Sequence, residues 1–131
     1  TIEIKMYDNY FEPSTIIIKK GETIKFVISN NGELVHEFNI ATKEMHIKHQ
    51  PEMMKMVENE ILFPDKIDME KMKEMAKKDH SMAHSHSNSV LLEPNEIGEL
   101  IWKFSTNANL EAACNVPGHY EVGMVADIKI N

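Results

Sequence analysis

Cys114 is the sole cysteine of the chain; His119 follows five positions later and Met124 five after that. Thiolate, imidazole and thioether form a soft donor set that suits copper. One loop carrying all three, joined by a histidine from elsewhere, makes a trigonal His₂Cys site with a weak axial methionine. Each residue alone has a plainer use. A single cysteine packs as a small hydrophobe, a methionine fills core space and a histidine hydrogen-bonds.

The distribution of histidine narrows the search for the remote ligand. Five of the seven histidines and eight of the ten methionines fall within residues 41–88. Outside that segment the only histidines are His36 and His119. His36 is therefore the candidate partner of the loop. Zinc is the main rival by softness, but structural zinc rarely takes methionine. A cysteine-nucleophile enzyme needs an accessible thiol in an electropositive setting, and the strand pattern below turns Cys114 inward.

The elements that must position these residues read as short strands. Ile2, Ile4 and Met6 alternate with Glu3 and Lys5; Thr15–Ile18 is a β-branched run; Ile24, Phe26 and Ile28 share a face. After the Asn30-Asn31-Gly32 turn, His36, Phe38 and Ile40 share a parity. Strand character returns at Ser89–Leu92 and Ile97–Phe104. It continues at Leu110–Cys114, where Leu110, Ala112 and Cys114 share a parity, and over about 124–130. About eight short strands with turns between them predict a mainly β, antiparallel Greek-key sandwich. The whole chain, 1–131, reads as one domain with a helical, Met/His-rich insertion at 41–88. Helices are expected over Pro51–Glu60 and Asp68–Lys78, with Asp68 as an N-cap.

Charge and composition exclude other classes. The net charge is -7 and every basic residue is lysine, so nucleic-acid binding is not expected. No apolar run is long enough to span a bilayer. The chain opens directly in strand-like alternation at Thr1-Ile2-Glu3 and reads as a mature or a trimmed form, with the signal peptide not in it.

Cys-x4-His-x4-Met near the C-terminus, with His36 after an Asn-Gly turn in an earlier strand, resembles the cupredoxins, the blue or green type 1 copper proteins. The loop spacing is similar to that of rusticyanin and of copper-tolerance cupredoxins. The resemblance covers about 1–40 and 89–131. It implies His36, Cys114 and His119 as equatorial ligands of one copper and Met124 as the axial ligand. It also implies a non-enzymatic, periplasmic or exported protein that transfers single electrons through Cu(II)/Cu(I), with the edge of His119 as the exit. Many relatives carry asparagine directly after the first histidine, where it braces the cysteine loop. Glu37 stands there in this chain, which bears on the hydrogen bonds around the thiolate and so on potential and colour.

The partner of such a carrier is a redox protein. The β portion holds six lysines against twelve acidic residues, and Glu33, Glu37, Glu111 and Glu121 flank the loop. A basic partner docking on an acidic surface near His119, beside Val116 and Tyr120, is the expectation; the chain itself is expected to be a monomer. A multicopper oxidase or nitrite reductase needs further histidine clusters and a second domain.

The insertion leaves two readings open. Met53 and Met56, then Met69, Met72 and Met75, recur at helical spacing and with Ile61, Leu62, Phe63 and Ile67 form a face that packs on the sandwich. Alternatively these methionines, with His46, His49, His80, Met82, His84 and His86, form a second copper-binding region. On that second reading the protein sequesters or delivers copper as a tolerance protein.

Overall fold

In the computed structural model the described residues are 1–78, 88–105 and 109–131. They form nine strands and two helices. β1 (Ile2–Tyr7), β2 (Tyr10–Glu12), β4 (Thr23–Asn30) and β7 (Ile97–Lys103) make one sheet in the order β2-β1-β4-β7. β3 (Thr15–Ile18), β5 (His36–Thr42), β6 (Ser89–Leu92), β8 (Leu110–Ala113) and β9 (Val125–Ile130) make the other, in the order β3-β9-β8-β5-β6. The expected Greek-key sandwich is the fold.

The pairing is mixed rather than antiparallel throughout. β1 runs parallel to β4 and β3 parallel to β9, while the remaining pairs are antiparallel. The chain leaves one sheet for the other between β2 and β4, so a strand returns beside one it does not directly follow. Alternation of apolar residues marks the buried face of a strand but not the direction of its neighbour. β2, too short to show an alternating pattern, adds a strand to the expected set.

The inward faces meet in one core. Phe26 lies against Phe38 at 5.4 Å and Phe104 at 6.2 Å between ring centroids. Around them Ile4, Met6, Ile16, Ile18, Ile28, Ile40, Ala112 and Ala126 are buried. This face supplies the main apolar driving force.

The insertion departs from expectation at its start. Helix α1 runs Lys43–Glu58 and begins directly after β5, well before Pro51. Thr42 is its N-cap, the hydroxyl accepting from Met45 N–H at 3.3 Å. Pro51 lies inside the helix on its exposed side. An interior proline costs about 3 kcal/mol or more. The opposite face offsets this by burying His46, Met53 and Met56, and the helix packs on β5 and β8. A short bridge between Leu62 and Ile67 follows. Helix α2 (Met69–Lys78) then begins at the expected cap, Lys71 N–H donating to Asp68 Oδ1 at 3.0 Å. Met53, Met56, Ile61, Leu62, Ile67 and Met72 join the buried cluster and Met75 packs at its margin, whereas Met69 is exposed.

Candidate metal centre

β5 and β8 are antiparallel neighbours, with Asn39 opposite Ala113. The first residue of β5, His36, and the residue after β8, Cys114, therefore stand at the same end of the sandwich although 78 positions separate them. The loop from Cys114 returns to the sheet by way of its own backbone. Cys114 N–H donates to Met124 C=O at 3.1 Å, Met124 N–H to His119 C=O at 3.1 Å and His119 N–H to Val116 C=O at 2.9 Å. Gly118 takes φ +90° in this turn, a conformation most L-residues avoid. These bonds hold His119 over the thiol and seat Met124 at the head of β9.

Three of the four expected residues, His36, Cys114 and His119, bring their donor atoms together, and Met124 is tied to Cys114 through the backbone. Nδ1 of His119 lies 3.3 Å from Cys114 Sγ and Nδ1 of His36 lies 3.9 Å from it. One donor atom from each of the three falls within 4.8 Å of the others. Metal–N and metal–S bonds of about 2.0 and 2.3 Å at trigonal angles separate ligand atoms by roughly 3.8 Å, so these side chains already stand at ligand spacing. His36, Cys114 and Met124 are fully buried, while His119 reaches the surface.

The electrostatics suit a metal rather than a free thiolate. Burial pushes the Cys114 thiol up to about 12, although Glu37 N–H donates to Sγ at 3.3 Å. Burial lowers the pKa of His36, opposed by its bond to Asp8. Burial also lowers that of His119, helped by the proximity of His36. Both imidazoles are thus held neutral, with lone pairs to offer.

Several residues that the sequence pattern did not single out set this geometry. Asp8 accepts from Nε2 of His36 at 2.8 Å and from the backbone N–H groups of Glu33 and Leu34. Burial raises the Asp8 pKa, but the bond from His36 and those backbone donors outweigh it, so the net shift is downward. A carboxylate on the far nitrogen fixes the tautomer and leaves Nδ1 facing the site. Gly32 permits this contact: a β-carbon there would collide with the Asp8 carboxylate and crowd His36 Nε2 at 3.0 Å. Asn30 holds the same turn, donating to Leu34 C=O at 2.9 Å and Leu92 C=O at 3.0 Å.

Glu37, directly after His36, itself braces the cysteine loop. Its Oε1 accepts Asn115 N–H at 3.3 Å and its Oε2 pairs with His49 Nε2 at 3.1 Å. It is buried, so it contributes nothing to an acidic surface. Beside His119 the surface also carries an apolar groove of about 200 Å³ lined by Leu34, Val57, Leu62, Phe63, Val116 and Pro117, among others. Glu33 and Glu121 are exposed nearby in sequence, while Glu111 accepts the Tyr120 hydroxyl at 3.0 Å.

The insertion histidines within the described residues face this loop. Nε2 of His46 donates to Glu111 C=O at 3.1 Å, and its Nδ1 accepts from the Asn115 side chain at 3.0 Å. Both ring nitrogens of His46 are therefore engaged. His80, Met82, His84 and His86 lie outside the described residues.

Comparison with known proteins agrees with the geometry. The model of the cupredoxin-like domain family matches residues 1–67, from β1 through the insertion's first helix. A copper-resistant cuproprotein, CopI, of Pseudomonas aeruginosa is 43% identical over 99% of this chain and 75% of its own length. The chain belongs to the cupredoxin family. CopI of Rubrivivax gelatinosus is 31% identical, with 99% of this chain and 66% of that protein covered. Reduced auracyanin of Roseiflexus castenholzii superposes with TM-score 0.69 at 16% identity, over 99% of this chain and 95% of that one. Auracyanin A, a blue copper protein of Chloroflexus aurantiacus, gives 0.67 at 16%, over 99% and 97%. At those identities the solved structures speak for the fold alone. In this cupredoxin the soft donor set of His36, Cys114 and His119, with Met124 beside it, fits a type 1 copper site.

Proposed function

We propose that this cupredoxin serves copper tolerance by holding one copper at His36, Cys114 and His119, with Met124 as the axial donor. The observation that carries the reading is the buried Cys114 thiol with a histidine Nδ1 at 3.3 Å and another at 3.9 Å. Bound there, copper supplies a one-electron couple between Cu(II) and Cu(I). The chain's own residues do the rest. Cys114 gives up its proton on binding. Asp8 orients His36, and Glu37 N–H donates to the cysteine sulfur. The paired strands β5 and β8 keep the donors at fixed spacing, which limits rearrangement between the two oxidation states. Similarity to copper-resistant cuproproteins along nearly the whole chain supports the tolerance role. A periplasmic or exported, non-enzymatic protein goes with it, because the reducing thiol pool of the cytosol competes for soft copper and reduces Cu(II).

A second reading, a dedicated electron shuttle, is favoured by the apolar groove against which the His119 ring lies. There a redox partner docks on the apolar rim, with exposed acids setting orientation. Among the described residues of the insertion, the thioethers open to further copper are those of the exposed Met45, Met54 and Met69. Met53, Met56 and Met72 are spent on the core.

The test is growth on copper of a bacterium lacking its own copper-resistance cuproprotein. Expressed with an export leader, the wild type restores growth and Cys114→Ser does not. Failure of the wild type, although exported and copper-loaded, contradicts the tolerance role and leaves the shuttle.

A further inference from the structure

We propose that helix α1 sets the reduction potential of the copper centre through the ion pair of the half-buried His49 with the buried Glu37. This inference rests on the copper reading above. His49 stands between two carboxylates, Nε2 at 3.1 Å from Glu37 Oε2 and Nδ1 at 3.0 Å from Glu52 Oε2. An ionised carboxylate only accepts hydrogen bonds, and a neutral imidazole has one N–H to donate. Both bonds together require the imidazolium. The raised pKa of His49, about 9, is in keeping: burial lowers it, but the bonds and charges of Glu37 and Glu52 outweigh burial.

The other end of Glu37 reaches the metal site. Its Oε1 accepts Asn115 N–H, next to Cys114, and its own backbone N–H donates to the cysteine sulfur. The Glu37 side chain is 4% exposed, so water screens its charge weakly. A charge on this side chain is therefore felt at the thiolate. In the wild type the imidazolium balances it. Glu37 and His49 are positioning residues here, since neither offers a donor atom to the copper.

The pair predicts opposite signs for its two halves. Glu37→Gln keeps an oxygen for Asn115 and removes the negative charge nearest the thiolate, leaving His49 paired with Glu52 alone, so Cu(I) is favoured and the potential rises. His49→Gln keeps a donor for Glu37 and leaves the carboxylate unbalanced, so Cu(II) is favoured and the potential falls. The double variant lies between the two singles. Loss of packing alone does not produce shifts of opposite sign.

The experiment has two parts. Ring nitrogen resonances of His49 in the metal-free protein at pH 7.5 are expected to show both nitrogens protonated; a neutral ring overturns the proposal without reference to copper. Spectroelectrochemistry of the copper-loaded wild type and variants then reads the potentials. A wild type without a thiolate-to-Cu(II) band sinks the copper reading itself, and this inference with it. A wild type with the band, but with both singles shifted the same way or not at all, overturns only this inference. Should Glu37→Gln fail to fold, His49→Gln carries the sign alone: a fall upholds the proposal, and a rise or no change overturns it.

Discussion

The His49 pair has a consequence for stability that needs no metal. The folded-state pKa of about 9 stands above the 6.5 of a free imidazole. A group whose pKa is raised on folding contributes stability in full below the lower value and loses it as pH rises through the upper. At 1.36 kcal/mol per pH unit, the ceiling on this contribution is about 3 kcal/mol below pH 6.5. About 1.4 kcal/mol of it remains at pH 8, and none is left well above pH 9. The perturbation is His49→Gln in the metal-free protein, and the assay is urea unfolding at pH 6, 8 and 10 under reducing conditions. Measurements at pH 6 and above avoid the carboxylate titrations. The wild type is expected to exceed the variant most at pH 6, with the gap narrowing steadily to pH 10. What persists at pH 10 is the packing difference between imidazole and amide. A gap of equal size at pH 6 and pH 10 refutes the charged pair.

Three further outcomes follow from the same structure. Asp8→Ala frees Nε2 of His36 and the two backbone donors of the turn; copper affinity by chelator competition should fall about 10–100-fold, and an unchanged affinity argues that His36 is oriented by packing alone. With the Cys114 thiol up at about 12 and both site histidines lowered, Cu(II) binding at pH 7 should release about one proton per ion. Calorimetry in buffers of differing ionisation enthalpy measures this, and a value near zero contradicts a thiolate ligand. Met72→Ala removes a fully buried side chain and should cost about 2–5 kcal/mol in denaturant unfolding; a cost below about 1 kcal/mol means α2 is not part of the cooperative core.

The site was legible where the chain packs its ligands into one loop. Cys114, His119 and Met124 lie within eleven residues, and strand parity turned both Cys114 and His36 inward. Asp8 was not legible. It sits 28 positions from His36, in a turn whose aspartate has no periodic mark, and its role exists only once β1 and β4 lie side by side. His46 and His49 carry a different lesson. A proline suits the first turn of a helix, so Pro51 reads as a start, and 43–50 then offers no helical face. With the helix running from Lys43, the spacing of the two histidines puts both on the side toward the cysteine loop. The parallel pairs β1–β4 and β3–β9 stayed hidden for the reason that alternation reports burial and not strand direction.

The visible absorption spectrum of the copper-loaded protein tests the central claim most directly. Binding of Cu(II) by His36, Cys114 and His119 beside Met124 predicts a strong thiolate-to-Cu(II) charge-transfer band at one copper per chain, absent from Cys114→Ser. A wild-type protein that takes up Cu(II) without that band, or a band that survives in Cys114→Ser, contradicts a type 1 centre at this site.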